Sequence, residues 1–126
     1  MLLLKANVQR WTEGMKMGLD IRFTQRKKKV CPHCGKAIEE QYEVDCVYSG
    51  GRVWYPFLET IGYYVPYEQR TEENDWYGKD MVLTREQADY AYRYAKENDV
   101  YNEKKIVMLI AVAKLEGDDI VVNADW

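Results

Sequence analysis

Histidine is almost missing from this 126-residue chain: His33 is the single example. A catalytic triad or a hydrolytic metal centre built on several imidazoles therefore has little to work with. The phosphate-cradling and nucleophile-bearing patterns G-x-x-x-x-G-K-[ST], G-x-G-x-x-G and G-x-S-x-G are also absent. No apolar run can cross a bilayer, since the longest is Ile106 to Ala113, and Met1 to Leu4 is too short for the apolar region of a signal peptide. A cytoplasmic protein is the expectation. With only three cysteines, an odd number, a disulfide framework is disfavoured and metal-bound or free thiols are favoured.

What is present describes one folded domain. Hydrophobic residues make up 47% and charged residues 31%, a balance that excludes disorder and fibrous repeats. A chain of this length should bury roughly two thirds of its unfolded surface. The net charge of −3 hides a division: residues 1–36 carry nine Lys/Arg and two Asp/Glu, and residues 37–126 carry nine and nineteen. The dominant acidic side repels phosphates at long range. "RKKK" at Arg26 to Lys29 reads as a solvated turn. The alternative is a nucleic-acid-binding zinc module using that run, whose affinity would fall steeply with salt.

Periodicity divides the chain into an N-terminal extension over 1–16, a zinc-knuckle hairpin region over 17–50, an aromatic and acidic segment over 51–82 and a helical part with a final strand over 83–126. Met15 and Met17 offer internal starts, so the expectation is that 1–16 is an extension that adds little to the fold. Leu19, Ile21 and Phe23 alternate with polar residues as in a half-buried strand. Tyr42, Val44, Cys46 and Tyr48 alternate with charged residues in a second strand, which ends at Gly50-Gly51. Pro56 suits the first turn of a short helix that stops near Gly62, and Val65 to Asp80 reads as a long loop. Thr84 and Gln87 form a capping box for a helix with Ala88, Ala91, Tyr92 and Ala95 on one stripe and an Asp89–Arg93 pair on the other side. Asn102 to Glu116 follows as a helix ended by Gly117. Its apolar middle predicts burial all round; a buried strand is the alternative. A short strand closes the chain. The fold class is α+β: a small antiparallel sheet with a zinc knuckle, packed against two to three helices.

The motif with the clearest chemistry is Cys31-Pro32-His33-Cys34-Gly35. Two thiolates two residues apart on a tight turn, with Gly35 supplying positive φ, have the form of a zinc knuckle joining two strands. Cys46 is the expected third ligand. The fourth position is left among His33, Asp45, Asp20 and a water, with His33 preferred. One imidazole with thiolates matches a structural zinc better than a catalytic one. The rival is redox chemistry: C-P-H-C resembles the motif of DsbA-type thiol oxidoreductases. In those proteins a helix follows the first cysteine, a role for which Gly35 and the following alternation are unsuited.

The second unusual stretch is Trp54 to Tyr77, where eight of twenty-four residues are aromatic and Glu68, Glu72, Glu73 and Asp75 are interleaved. Rings with polar tips suit protein interfaces, and the acids suit a basic partner. The alternative is that the rings form core. The expected contact set is Trp54, Tyr55, Tyr63, Tyr64, Glu72, Glu73, Asp75 and Trp76. In "MGLDIRF", "CPHCG" and "VYSGGRVWYPFLETIGYY" the chain resembles small zinc-knuckle proteins of phages and prophages over residues 17–64. It is similar, too, to zinc-containing anti-CRISPR proteins of streptococcal prophages that inhibit type II Cas9. That resemblance implies a non-enzymatic protein that binds Cas9, or a comparable nucleic-acid-handling enzyme of the host, and blocks nucleic-acid loading or cleavage.

Overall fold

The computed structural model describes residues 18–30, 33–34 and 37–126. It is an α+β fold: a four-stranded antiparallel sheet with helices on one face. The strands are β1 (Asp20–Val30), β2 (Ala37–Gly50), β3 (Met81–Val82) and β4 (Asp119–Asp125), in spatial order β2-β1-β4-β3. The helices are α1 (Tyr55–Thr60), α2 (Arg85–Glu97) and α3 (Glu103–Glu116), with 3-10 turns at Arg52–Trp54 and Tyr67–Gln69. The proposed extension over 1–16 lies outside the described residues.

Alternation sets the sheet's inner face. Leu19, Ile21 and Phe23 are buried, and across the ladder they meet Val47 and Ser49 of β2 and Val122 and Ala124 of β4. The C-terminal strand is not peripheral: β4 lies between β1 and β3, and α3 packs across β1, β2 and β4. At the end of β2, Gly50 and Gly51 are required by geometry. A Cβ on Gly50 would meet the Leu19 carbonyl oxygen at 2.8 Å, and Gly51 has φ of 104° and donates its N–H to that same oxygen. Pro56 opens α1, Thr84 and Gln87 form the expected box on α2, and Gly117 caps α3 at φ 74°.

Several expectations are corrected. The "RKKK" run is not a turn: it continues β1. Arg26 pairs with Asp80, and Lys27 bonds Glu116 at 2.7 Å and Asp118 at 3.0 Å. Those two acids push the Lys27 ammonium up to about 12 by stabilising its charged form. The second strand shows the reverse face: Val47 and Ser49 point to the core, whereas Tyr42, Val44 and Tyr48 are exposed. Asp89 pairs with Lys114 of α3. Helix α3 is not buried all round, because Ile106, Leu109, Ile110 and Ala113 face the core while Met108 and Leu115 face solvent. Directly after the stretch assigned to loop, Met81–Val82 forms β3, a strand that the periodicity does not mark.

The outer face carries its own packing. Arg22 and Arg26 on β1 both reach Asp80, which precedes β3. Since β4 lies between, their side chains cross over its outer face, where Thr24 of β1 and Val121 of β4 stand opposite each other and are buried. Asn123 of β4 donates to Asp80 at 2.8 Å. This hydrogen bond, with the two guanidiniums, holds the Asp80 carboxyl below the usual carboxylate range. No helix among the described residues is long and apolar enough to cross a membrane.

Candidate protein-binding surface

Among the described residues the predicted metal ligands are not brought together. Cys31 lies outside the described residues, and His33 and Cys34 occupy an exposed turn between β1 and β2. Cys46 is nine positions along β2 from Ala37, a separation on the order of 30 Å in an extended chain. It sits opposite Thr24, whose hydroxyl approaches its sulfur at 3.7 Å. The other candidates are equally remote from the turn. Asp45 faces Gln25 and accepts from the Cys46 N–H at 2.8 Å, and Asp20 lies at the opposite end of β1. Among the described residues Cys46, Asp45 and Asp20 thus stand apart from His33 and Cys34. No group of three His, Cys, Asp or Glu gathers among the described residues. The oxidoreductase alternative loses its helix, since a strand begins at Ala37. The nucleic-acid alternative loses two of its cations to ion pairs.

The aromatic segment divides residue by residue. Trp54 is 0% exposed, packing edge-on to Phe57 and stacked on Tyr94. Its indole donates to the Ser49 hydroxyl at 3.0 Å, which donates in turn to the Tyr101 carbonyl. Tyr63 is likewise 0% exposed: its hydroxyl donates to the Lys79 carbonyl at 2.6 Å and accepts the Ala124 N–H at 2.8 Å. Burial raises the Tyr63 phenol above its ordinary pKa, against the lowering by its bonds to Ala124 and Lys79. Trp54 and Tyr63 are thus core residues and leave the contact set.

Their immediate neighbours form a second group. Tyr55 meets Tyr64 edge-to-face at 5.0 Å, Tyr64 meets Trp126 at 5.0 Å, and Tyr77 meets Trp126 at 4.8 Å, each pair near perpendicular. Such pairs add to stability beyond the area they bury. Tyr77 is exposed, and Tyr55, Tyr64 and Trp126 are half-buried, so the row presents ring surface to solvent from fixed positions. Burial, followed by the neighbouring Tyr64, raises the Tyr55 phenol as well. Trp76 is half-buried behind the row, against Tyr63.

The loop bearing Tyr64 and Tyr77 is wired in place. The Arg70 guanidinium donates twice to the Val65 carbonyl, at 3.1 and 2.9 Å, and lies within 6.0 Å of the Tyr64, Tyr67 and Trp126 ring centres. Thr71 and Asn74 bond each other reciprocally, and Asp75 accepts the Tyr77 N–H. Gly78, at φ 68°, donates to the Ala124 carbonyl and so docks the loop on β4. Glu68, Glu72 and Glu73 are exposed, and Asp75 is half-buried. From Trp54 to Tyr77 there are five acids and one base, Arg70, which is already engaged. Sequence reasoning missed Trp126 and Arg70. Trp126 joins only because β4 delivers it beside Tyr63, and no local pattern announces that.

No family model matches the chain, no curated protein matches its sequence, and no solved structure matches its fold.

Proposed function

We propose that this chain acts by binding another protein, and that the row Tyr55–Tyr64–Trp126–Tyr77 with its acidic surroundings receives a basic segment of that partner. The observation that carries this reading is a set of half-exposed rings held together from α1, the end of β4 and a loop that its own hydrogen bonds already order. Rigid aromatic anchors lose little entropy on binding, and an acid-rich border favours Lys- and Arg-bearing surfaces over others. Of the residues expected from sequence, Tyr55, Tyr64, Glu72, Glu73, Asp75 and Trp76 stay in the contact set.

The resemblance to Cas9-inhibiting prophage proteins supports the narrower form of the proposal: the partner is Cas9, and occupation of its basic surface blocks nucleic-acid loading or cleavage. Binding of the full chain to Cas9 by calorimetry tests the narrower form, and capture from a host lysate followed by mass spectrometry tests the broader. With the partner in hand, Trp126→Ala should weaken affinity by about 2 kcal/mol or more, as for a central aromatic anchor. Charge reversal of Glu72, Glu73 and Asp75 to Lys should slow association, most at low salt. Unchanged binding by both variants would dismiss this surface. Zinc at the Cys31–Cys34 turn is a separate proposal, tested by metal analysis of the purified chain. About one zinc per chain supports it, and none removes it.

A further inference from the structure

The row Tyr55–Tyr64–Trp126–Tyr77 ends in hydrogen-bond donors that the fold does not use. Tyr63 and Tyr94 donate their hydroxyls to the Lys79 and Val53 carbonyls, and the Trp54 indole donates to Ser49. The hydroxyls of Tyr55, Tyr64 and Tyr77 and the indole N–H of Trp126 donate to nothing among the described residues. The spacing of the rings is regular. Adjacent pairs stand at 79°, 73° and 87°, with centroids 5.0, 5.0 and 4.8 Å apart. Two steps of 5.0 Å span up to about 10 Å, close to the roughly 9 Å turn of a polyproline II helix, and the whole row covers roughly five of its residues. The charge is uneven. At one end the Tyr55 N–H bonds the carbonyl of exposed Arg52, and at the other Tyr77 follows Glu72 and Glu73 and bonds the Asp75 carboxylate through its own N–H.

We infer that the basic segment received by this row is proline-rich and binds as a polyproline II helix with its Lys or Arg residues beyond the Tyr77 end, a narrowing that rests on the protein-binding reading above. Backbone hydrogen bonding selects that occupant. A polyproline II segment has no internal hydrogen bonds, so its carbonyls are open to the phenol and indole donors, and its prolines bring no N–H that must find an acceptor. An ordinary extended strand carries an N–H at most residues and is received by a sheet edge, whereas the row consists of side chains from α1, a loop and the end of β4. An amphipathic helix keeps its carbonyls for its own backbone and would leave the donor tips unpaired. Both partners are ordered in advance. The Arg70, Thr71 and Asn74 bonds fix the loop, and the proline ring fixes φ in the ligand, so little entropy is lost on binding. The acids at the Tyr77 end attract cations and Arg52 at the Tyr55 end repels them, which places the basic residues on one side of the prolines only.

Calorimetric titration of the full chain with two acetylated and amidated peptides tests the inference: nine prolines followed by three lysines, and a Gly-Ser tract of equal length followed by the same three lysines. The proline peptide should bind roughly tenfold more tightly or better, because the control carries the same charge but must be ordered on binding. Tyr64→Phe and Tyr77→Phe each remove one donor and keep the ring, and each should weaken the proline peptide about threefold to tenfold while leaving the thermal midpoint unchanged. Trp126→Ala should weaken it about thirtyfold, with circular dichroism confirming that the variant is folded. Equal binding of the two peptides overturns the proline-rich occupant and leaves the basic-segment reading standing. Binding that is indifferent to Trp126→Ala, or to both Phe variants, overturns the inference, since the row or its donors then play no part. Failure of both peptides to bind up to about 2 mM overturns it as well, while the broader reading is decided separately by Trp126→Ala against the captured protein partner.

Discussion

Two aromatic groups stand side by side in this protein, built from adjacent residues and doing opposite things. Trp54 is core and Tyr55 is surface, Tyr63 is core and Tyr64 is surface, and Trp76 leans on the buried Tyr63 while Tyr77 is exposed beside Trp126. Phe23, Trp54, Phe57 and Tyr94 interlock at centroid distances from 5.3 to 6.3 Å beneath α1 and α2. Tyr55, Tyr64, Trp126 and Tyr77 are spaced just as closely, at 4.8 to 5.0 Å, yet they hold that geometry while facing water. Ring density therefore does not separate core from contact surface. Local backbone direction does, because adjacent residues are turned toward different surroundings.

The difference is largest in stability. Trp54→Ala removes a fully buried ring from contact with three others and frees the Ser49 hydroxyl, and should cost about 3–5 kcal/mol. Tyr77→Ala, at 47% exposure and with one ring partner, should cost about 1 kcal/mol. Urea midpoints of the two variants against the wild type measure the gap. If the costs were equal, the surface row would be structural and its availability for a partner would fail.

How much of this was readable beforehand depends on the range of the interactions. The capping box at Thr84, the Gly117 cap and the Leu19/Ile21/Phe23 alternation are local, and each appears in the structure where periodicity puts it. Arg26 and Lys27 are drawn into a strand by Asp80, Glu116 and Asp118, partners at least fifty residues away that no local window contains. The face of β2 was misread because tyrosine and valine look like core in a list of residues. The register with β1 instead turns Val47 and Ser49 inward and adds a bulge opposite Gln25 and Arg26. Cys46 looked close to Cys34 because twelve positions are few. Along one extended strand, however, position count is distance, and it carries Cys46 away from the turn. The apolar middle of α3 was legible as helix, but periodicity cannot tell an apolar face that meets the sheet from one that meets solvent.

A smaller effect separates Tyr63 from Tyr64 by one atom. Tyr63→Phe keeps the ring but leaves the part-buried Lys79 carbonyl and the buried Ala124 N–H without this partner, which should cost about 1–3 kcal/mol. Tyr64 makes no hydroxyl hydrogen bond among the described residues, so Tyr64→Phe should stay within about 0.5 kcal/mol of wild type. Amide exchange at Ala124 reports the same difference locally, faster in Tyr63→Phe and unaltered in Tyr64→Phe. Equal exchange in both would show that the Tyr63 hydroxyl does not fasten the end of β4.

The smallest effect is in alkali. Burial raises the phenols of Tyr63 and Tyr94, the latter also through its neighbour Tyr90. A folded pKa above the unfolded value means that the native state holds these protons more tightly. Their contribution is therefore complete below the ordinary tyrosine value of about 10 and is lost as pH rises through the raised folded values. Urea midpoints taken from about pH 9 to about pH 11.5 should fall across the upper part of that range. The fall should be shallower in Tyr63→Phe, which has one fewer buried phenol to ionise. The wild-type tyrosinate absorbance should also lag behind that of the urea-unfolded chain. A native titration that overlays the unfolded one would mean the core phenols ionise as freely as solvated ones, and the division between the two aromatic groups would not extend to their chemistry.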